Sequence, residues 1–248
     1  MCAWESWYLL GISDIRLRYK RSRLGQLWIT MSMAIFITGI GFAFSFLFKQ
    51  DVKNYMPYFA VNYVVWGLIS GIVLDSTTTF TQSAVYLTQE ALPRSIFAMR
   101  VIVRNLVLFA HNLIIIPVIF LIFKVPVTWT ILLAIPGLII LIVIGFLATI
   151  LLSMICTRFR DMAQILQNLM QMLYFLTPVM WRPEQMTDAW YIVIFNPFAA
   201  CLRIVSDPIH GIVPLNSVYY MVFATFAFLL VTTLLIFAHF RARIVYWL

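Results

Sequence analysis

The sequence predicts an all-α integral membrane protein, and three observations carry that expectation. Hydrophobic types make up 63% of the 248 residues and charged types 10%. An average soluble domain is about 45–50% apolar and about 25% charged. So few charges cannot clothe a water-facing surface, which excludes a soluble globular enzyme. A disordered chain, apolar-poor and charge-rich, is excluded by the same figures. Apolar runs of about 20 residues, the length that crosses a bilayer, recur along the chain. The basic residues are unevenly divided between the segments that separate those runs.

Residues 1–23 form the first element. Trp4, Trp7, Tyr8, Gly11, Ile12, Ile15 and Tyr19 recur at helical spacing, while Glu5, Asp14, Arg16, Lys20 and Arg21 fall off that stripe. This pattern predicts an amphipathic helix lying in the membrane interface, where Trp and Tyr are favoured. No basic segment precedes an apolar run in the manner of a cleavable signal, so targeting is expected of the first span. Six spans are expected, at 27–48, 58–82, 101–123, 129–156, 163–180 and 218–240, the fifth being the shortest. The second is apolar to Leu74 and continues polar through Ser76, Thr77, Thr78 and Thr79. A short cytoplasmic helix is expected over 84–94, stopped by Pro93. A further apolar stretch, Ala189 to Val205, is interrupted by Asn196-Pro197 and carries Arg203. Proline breaks the helical ladder and moves its predecessor out of the α region. Segment 183–210 therefore reads as short re-entrant helices on the outer side rather than a seventh span.

Charge placement supports this count. With the N-terminus inside and six spans, five of the 17 basic residues, Lys49, Lys53, Lys124, Arg182 and Arg203, lie outside and the other twelve inside. A seventh span would move Arg241 and Arg243 outside and weaken the asymmetry that membrane insertion favours. Both termini are thus expected in the cytoplasm. The basic excess reads as membrane asymmetry, not as nucleic-acid binding.

Catalytic signatures are missing from the sequence. No glycine is followed by lysine, so there is no phosphate-binding loop of the Gly-x-x-x-x-Gly-Lys type. No His-Glu-x-x-His or Gly-x-Ser-x-Gly occurs, and His111, His210 and His239 are isolated. Cys2, Cys156 and Cys201 have neither metal-ligand spacing nor an even count for disulfides. No metal and no catalytic residue is expected. Polar residues within the spans carry more. Gln164, Gln167, Asn168 and Gln171 follow i, i+3, i+4, i+7, and Tyr174 extends their edge. Arg104, Asn105, His111 and Asn112 share one side of the third span, with Arg104 expected to snorkel to the cytoplasm. Such stripes mark either a hydrated path or a hydrogen-bonded helix seam. Trp28, Ser32, Phe36 and Gly39 fall on one face of the first span and are expected to line a path with the span-five stripe.

Three ordered stretches resemble the membrane subunits of type-2 ABC exporters of polysaccharide. They are Asp14 to Trp28, with its basic run before Leu24-Gly25-Gln26-Leu27-Trp28; Leu92 to Phe97 followed by Arg104 to Asn112; and Arg158-Phe159-Arg160-Asp161 through Gln171 to Phe175-Leu176-Thr177-Pro178, then Asn196-Pro197-Phe198. The stretch Arg104-Asn105 to Phe109-Ala110-His111-Asn112 is most similar to O-antigen exporters. The resemblance implies a homodimeric permease of the bacterial inner membrane, exporting a lipid-linked glycan. It implies two separate ATP-binding-cassette subunits that hold ATP and Mg, with no cofactor in this chain. The N-terminal helix and Tyr86, Leu87, Glu90, Leu92, Pro93 and Arg94 would dock those subunits, and Trp181, Asn196, Pro197 and Phe198 would form an outer gate. Glutamine and asparagine stripes offer hydroxyl partners to a glycan, and aromatic rings its flat faces. Export of capsule, teichoic acid, a drug or another lipid, and a carrier or membrane enzyme independent of any ATPase, stand as alternatives.

Overall fold

The computed structural model describes Gly11 and residues 27–47, 49–89, 93–183 and 190–248. The expected interface helix therefore lies outside the described residues except for Gly11, which packs against Val103 and the Arg100 carbonyl. Glu90 and Leu92 also lie outside them.

All regular structure among the described residues is helical, and the chain is an all-α integral membrane protein. α1 (Leu27–Leu47) buries only Ile37, Gly41 and Ser45, one stripe at i, i+4, i+8. α2 (Val52–Ser76) is the central helix. It starts where the Asp51 side chain accepts a hydrogen bond from the Lys53 amide, and it buries residues on almost every side. Two short helices, α3 (Thr79–Gln82) and α4 (Ala84–Gln89), lead into α5 (Ser95–Leu113) and α6 (Ile115–Phe123). The break between α5 and α6 falls at Ile114, where Pro117 cannot donate to the Leu113 carbonyl four residues back. A 3₁₀ turn, Trp129–Leu133, opens α7 (Ala134–Arg158), which is followed by α8 (Met162–Leu176). α9 (Trp190–Ile194), α10 (Pro197–Ile209), α11 (Asn216–Phe240) and α12 (Ile244–Trp247) complete the described chain.

Several bounds differ from the expected spans. α2 begins at Val52 rather than 58, because the Asp51 cap allows a polar first turn, and it ends at Ser76 rather than 82. The third helical run begins at Ser95, six residues before 101. α8 has 15 residues, about 22 Å at the α-helical rise. Its expected continuation, Thr177 to Met180, is buried but not helical, because Pro178 stops the helix. Five helical runs among the described residues are long and apolar enough to cross a membrane, and α8 is not one of them.

The main core is built around α2, from Tyr55 to Val73, with apolar faces of α5, α6, α7 and α10 packed on it. α7 and α10 meet at Gly137, where an added Cβ would lie 2.5 Å from the Ile204 carbonyl oxygen. A second cluster at the other end joins Phe80, Leu87, Phe97, Ile150, Met154 and Ile244. Between them sits an ion pair. Arg104 Nη2 lies 2.7 Å from Asp75 Oδ2, and Asn105 Nδ2 donates to the same oxygen at 2.8 Å. The expectation that Arg104 snorkels is thus corrected: it is buried against α2, because Asp75 offers a partner within reach.

Candidate functional site

α1, α2 and α8 enclose an open cleft of about 590 Å³. Phe36 comes from α1; Tyr63, Trp66 and Ser70 from α2; Gln167, Gln171, Tyr174 and Phe175 from α8. Phe36 stacks on Tyr63 with ring centres 4.7 Å apart and planes 19° apart. Tyr174 stands edge-on to Tyr63 at 6.2 Å and 6.0 Å from Trp66, whose indole reaches Phe198 at 6.3 Å. The Tyr174 hydroxyl is buried and has no hydrogen-bond partner. A buried hydroxyl without a partner is costly. The cleft therefore offers flat aromatic faces and two amides, with the unsatisfied Tyr174 hydroxyl buried beside them.

Of the eight path residues read from the sequence, the structure brings Phe36, Gln167, Gln171 and Tyr174 together in this cleft. Gln164 and Asn168 lie on the exposed side of α8 and hydrogen-bond each other at 3.3 Å. Trp28 and Ser32 are exposed on α1 and do not line the cleft, and the Ser32 hydroxyl donates to the Ile29 carbonyl at 2.9 Å. Tyr63, Trp66 and Ser70 were not expected. Their i, i+3, i+7 spacing in α2 is a legible stripe, but its members are amphipathic rather than plainly polar.

At the cap of the bundle, the non-helical strap after α8 is tied to the first turns of α2. Tyr55 Oη donates to the Met180 carbonyl at 2.6 Å, and Tyr58 Oη lies 3.1 Å from the Pro178 carbonyl and 3.0 Å from that of Trp181. Trp181 Nε1 donates to the Phe175 carbonyl at 2.9 Å. Asn196 Oδ1 accepts from the Phe198 amide at 2.9 Å, capping α10 with Pro197 in its first turn. Asn196 Nδ2 donates to Thr177 Oγ1 at 3.1 Å, so the helix break and the strap are one unit. His210, beyond α10, stacks on Tyr58 at 5.2 Å. Desolvation, and then the nearby Arg182 charge, lower its pKa to about 4.

The family model described as ABC-2 type transporter matches residues 5–210. The chain belongs to the ABC-2 type transporter family. It is 22% identical over 195 residues to an O-antigen export system permease protein RfbA of Klebsiella pneumoniae, covering 76% of this chain and 74% of that protein. It is 24% identical over 175 residues to the RfbA permease of Myxococcus xanthus, covering 71% and 67%. This ABC-2 chain is accordingly a membrane-embedded transport subunit. At the end of the ABC-2 bundle opposite the strap, Leu87 of α4 is buried in the second cluster while Val85 and Tyr86 are exposed. Pro93 is exposed, and Arg94 is partly covered with its Nε lacking a hydrogen-bond partner.

Proposed function

We propose that this chain is the transmembrane half of an ATP-driven exporter of a lipid-linked polysaccharide of the O-antigen type. The cleft between α1, α2 and α8 carries the reading. Its Phe36, Tyr63, Trp66 and Tyr174 rings, with Gln167 and Gln171 beside them, suit the apolar faces and hydroxyls of sugars. The O-antigen permeases among its relatives point to the same substrate class.

Two copies would face each other across the path. Gln164 and Asn168 are exposed on α8, and amides facing lipid are costly. A facing copy or a hydrated lumen supplies partners beyond the one hydrogen bond they share. Two ATP-binding-cassette subunits would dock at the α4 end, with Tyr86 as the exposed contact and ATP and Mg held by those subunits. The membrane would be the bacterial inner membrane, with six crossings and both termini cytoplasmic. That count requires the α8 strap segment to complete a crossing. Trp181 and the Asn196-Pro197-Phe198 break would form the outer gate.

Replacing Gln167 and Gln171 together by Leu tests the path. Export of surface polysaccharide is expected to fall at least about tenfold while thermal stability in detergent holds, since both side chains are exposed. Unchanged export would overturn the assignment. Affinity purification in mild detergent tests the class. An ATPase at equal stoichiometry is expected, and a stable chain that transports alone would overturn it.

A further inference from the structure

Four of the five basic residues that charge counting places outside converge on one cavity. Lys53 from α2, Lys124 after α6, Arg182 from the strap and Arg203 from α10 line a space of about 570 Å³. Together with the neutral floor residues Asn62 and His210, they enclose it from four separate parts of the chain. Among the described lining residues one carboxylate, Asp207, accompanies these four cations, and it already pairs with Arg203 at 3.1 Å.

The guanidinium of Arg182 is held in place. It stacks over Tyr58 at 5.0 Å and donates to the Asn54 carbonyl at 2.9 Å. Asn62 is 1% exposed, faces the cavity, and its Oδ1 has no hydrogen-bond partner. His210 Nε2 is likewise buried without one. Cations gathered at a partly enclosed site repel each other, and buried polar atoms without partners cost free energy. The repulsion is relieved by a bound anion, and Asn62 Oδ1, which can only accept, by a donating water of the anion's shell. A diphosphate or phosphodiester group offers several oxygens to Arg forks and Lys points at once.

We propose that this cavity is a binding site for a phosphate-class anion, with Lys53 and Lys124 at its mouth. The site is distinct from the aromatic cleft and stands whether or not the transported molecule is a glycan. Such an anion reaches it either as a free or linked diphosphate or as the head group of an anionic phospholipid.

The test uses the full chain in a nonionic detergent, titrated with inorganic pyrophosphate by calorimetry at low ionic strength. Binding is expected, weakening as salt is raised. The K53Q/K124Q variant should bind roughly tenfold more weakly, the loss of two charge-assisted contacts. K49Q is the matched control, since Lys49 carries the same charge and, like Lys124, a left-handed backbone, yet does not line the cavity. It should bind as the parent does. Equal affinity in K53Q/K124Q, an equal loss in K49Q, or no binding to the parent would overturn the proposal. Short-chain phosphatidylglycerol added to the parent separates the sources. Displacement of pyrophosphate identifies a lipid head group as an occupant, and undiminished pyrophosphate binding identifies a lipid-independent anion.

Discussion

Arg104 and Asn105 both reach one oxygen of Asp75, so a single carboxylate holds α2 and α5 in register. Replacing Arg104 with Leu would leave that carboxylate, among the described residues, to the Asn105 amide. A cost of roughly 2–3 kcal/mol is expected, below the range for fully buried pairs because Asp75 is partly exposed. The thermal midpoint in detergent reads it, and the added change Asp75→Leu should recover most of the loss. His210 gives a pH dependence. Its ordinary value is 6.5 and its folded value about 4. Between these the unfolded chain takes up a proton that the folded one refuses, so stability falls as pH drops from about 6.5 to 4. The cause is desolvation beside Tyr58, with the Arg182 charge adding to it. His210→Gln should flatten the stability profile over that window, and an unchanged slope would contradict the shift.

α4 is six residues long and has two distinct sides. Leu87→Ala should lower stability by about 2–4 kcal/mol, because Leu87 is anchored in the cluster with Phe80, Phe97 and Ile244. Tyr86→Ala should leave stability nearly unchanged and reduce ATPase copurification, because Tyr86 is exposed and belongs to neither core cluster. Equal effects of the two changes on copurification at matched stability would remove Tyr86 from the docking surface. The α9–α10 break was legible from Asn196-Pro197 alone, since proline chemistry is local. The stop of α8 at Pro178 is just as local, although the expected span ran on to 180. What was not legible is what holds residues 177–180 outside the helix: the Met180 and Pro178 carbonyls accept from Tyr55 and Tyr58, side chains about 120 residues away in sequence. Nothing in the local sequence marks such a partner.

The number of crossings belongs to the whole molecule, and it turns on the short α8. If α8 and its strap cross the membrane, the two termini lie on one side; if they do not, the termini lie on opposite sides. Reporter fusions at each end are expected to report the same, cytoplasmic, side. Light scattering in detergent is expected to show two copies of the chain per particle, and one copy would overturn the paired path. Composition and run length by themselves determined that this chain lives in a membrane as helices, because transfer of side chains into hydrocarbon sums residue by residue. The broken C-terminal segment and the family resemblance were equally readable, because they rest on ordered local motifs. Only tertiary packing decided which stripes meet. It set Gln167, Gln171 and Tyr174 against Phe36 and the unforeseen Tyr63 and Trp66, and it left Trp28, Ser32, Gln164 and Asn168 outside. It also gathered Lys53, Lys124, Arg182 and Arg203 around one cavity. Helical periodicity tells which side chains share a face, but the rotation and depth of each helix against its neighbours tell which faces meet, and those depend on the fit of many side chains at once.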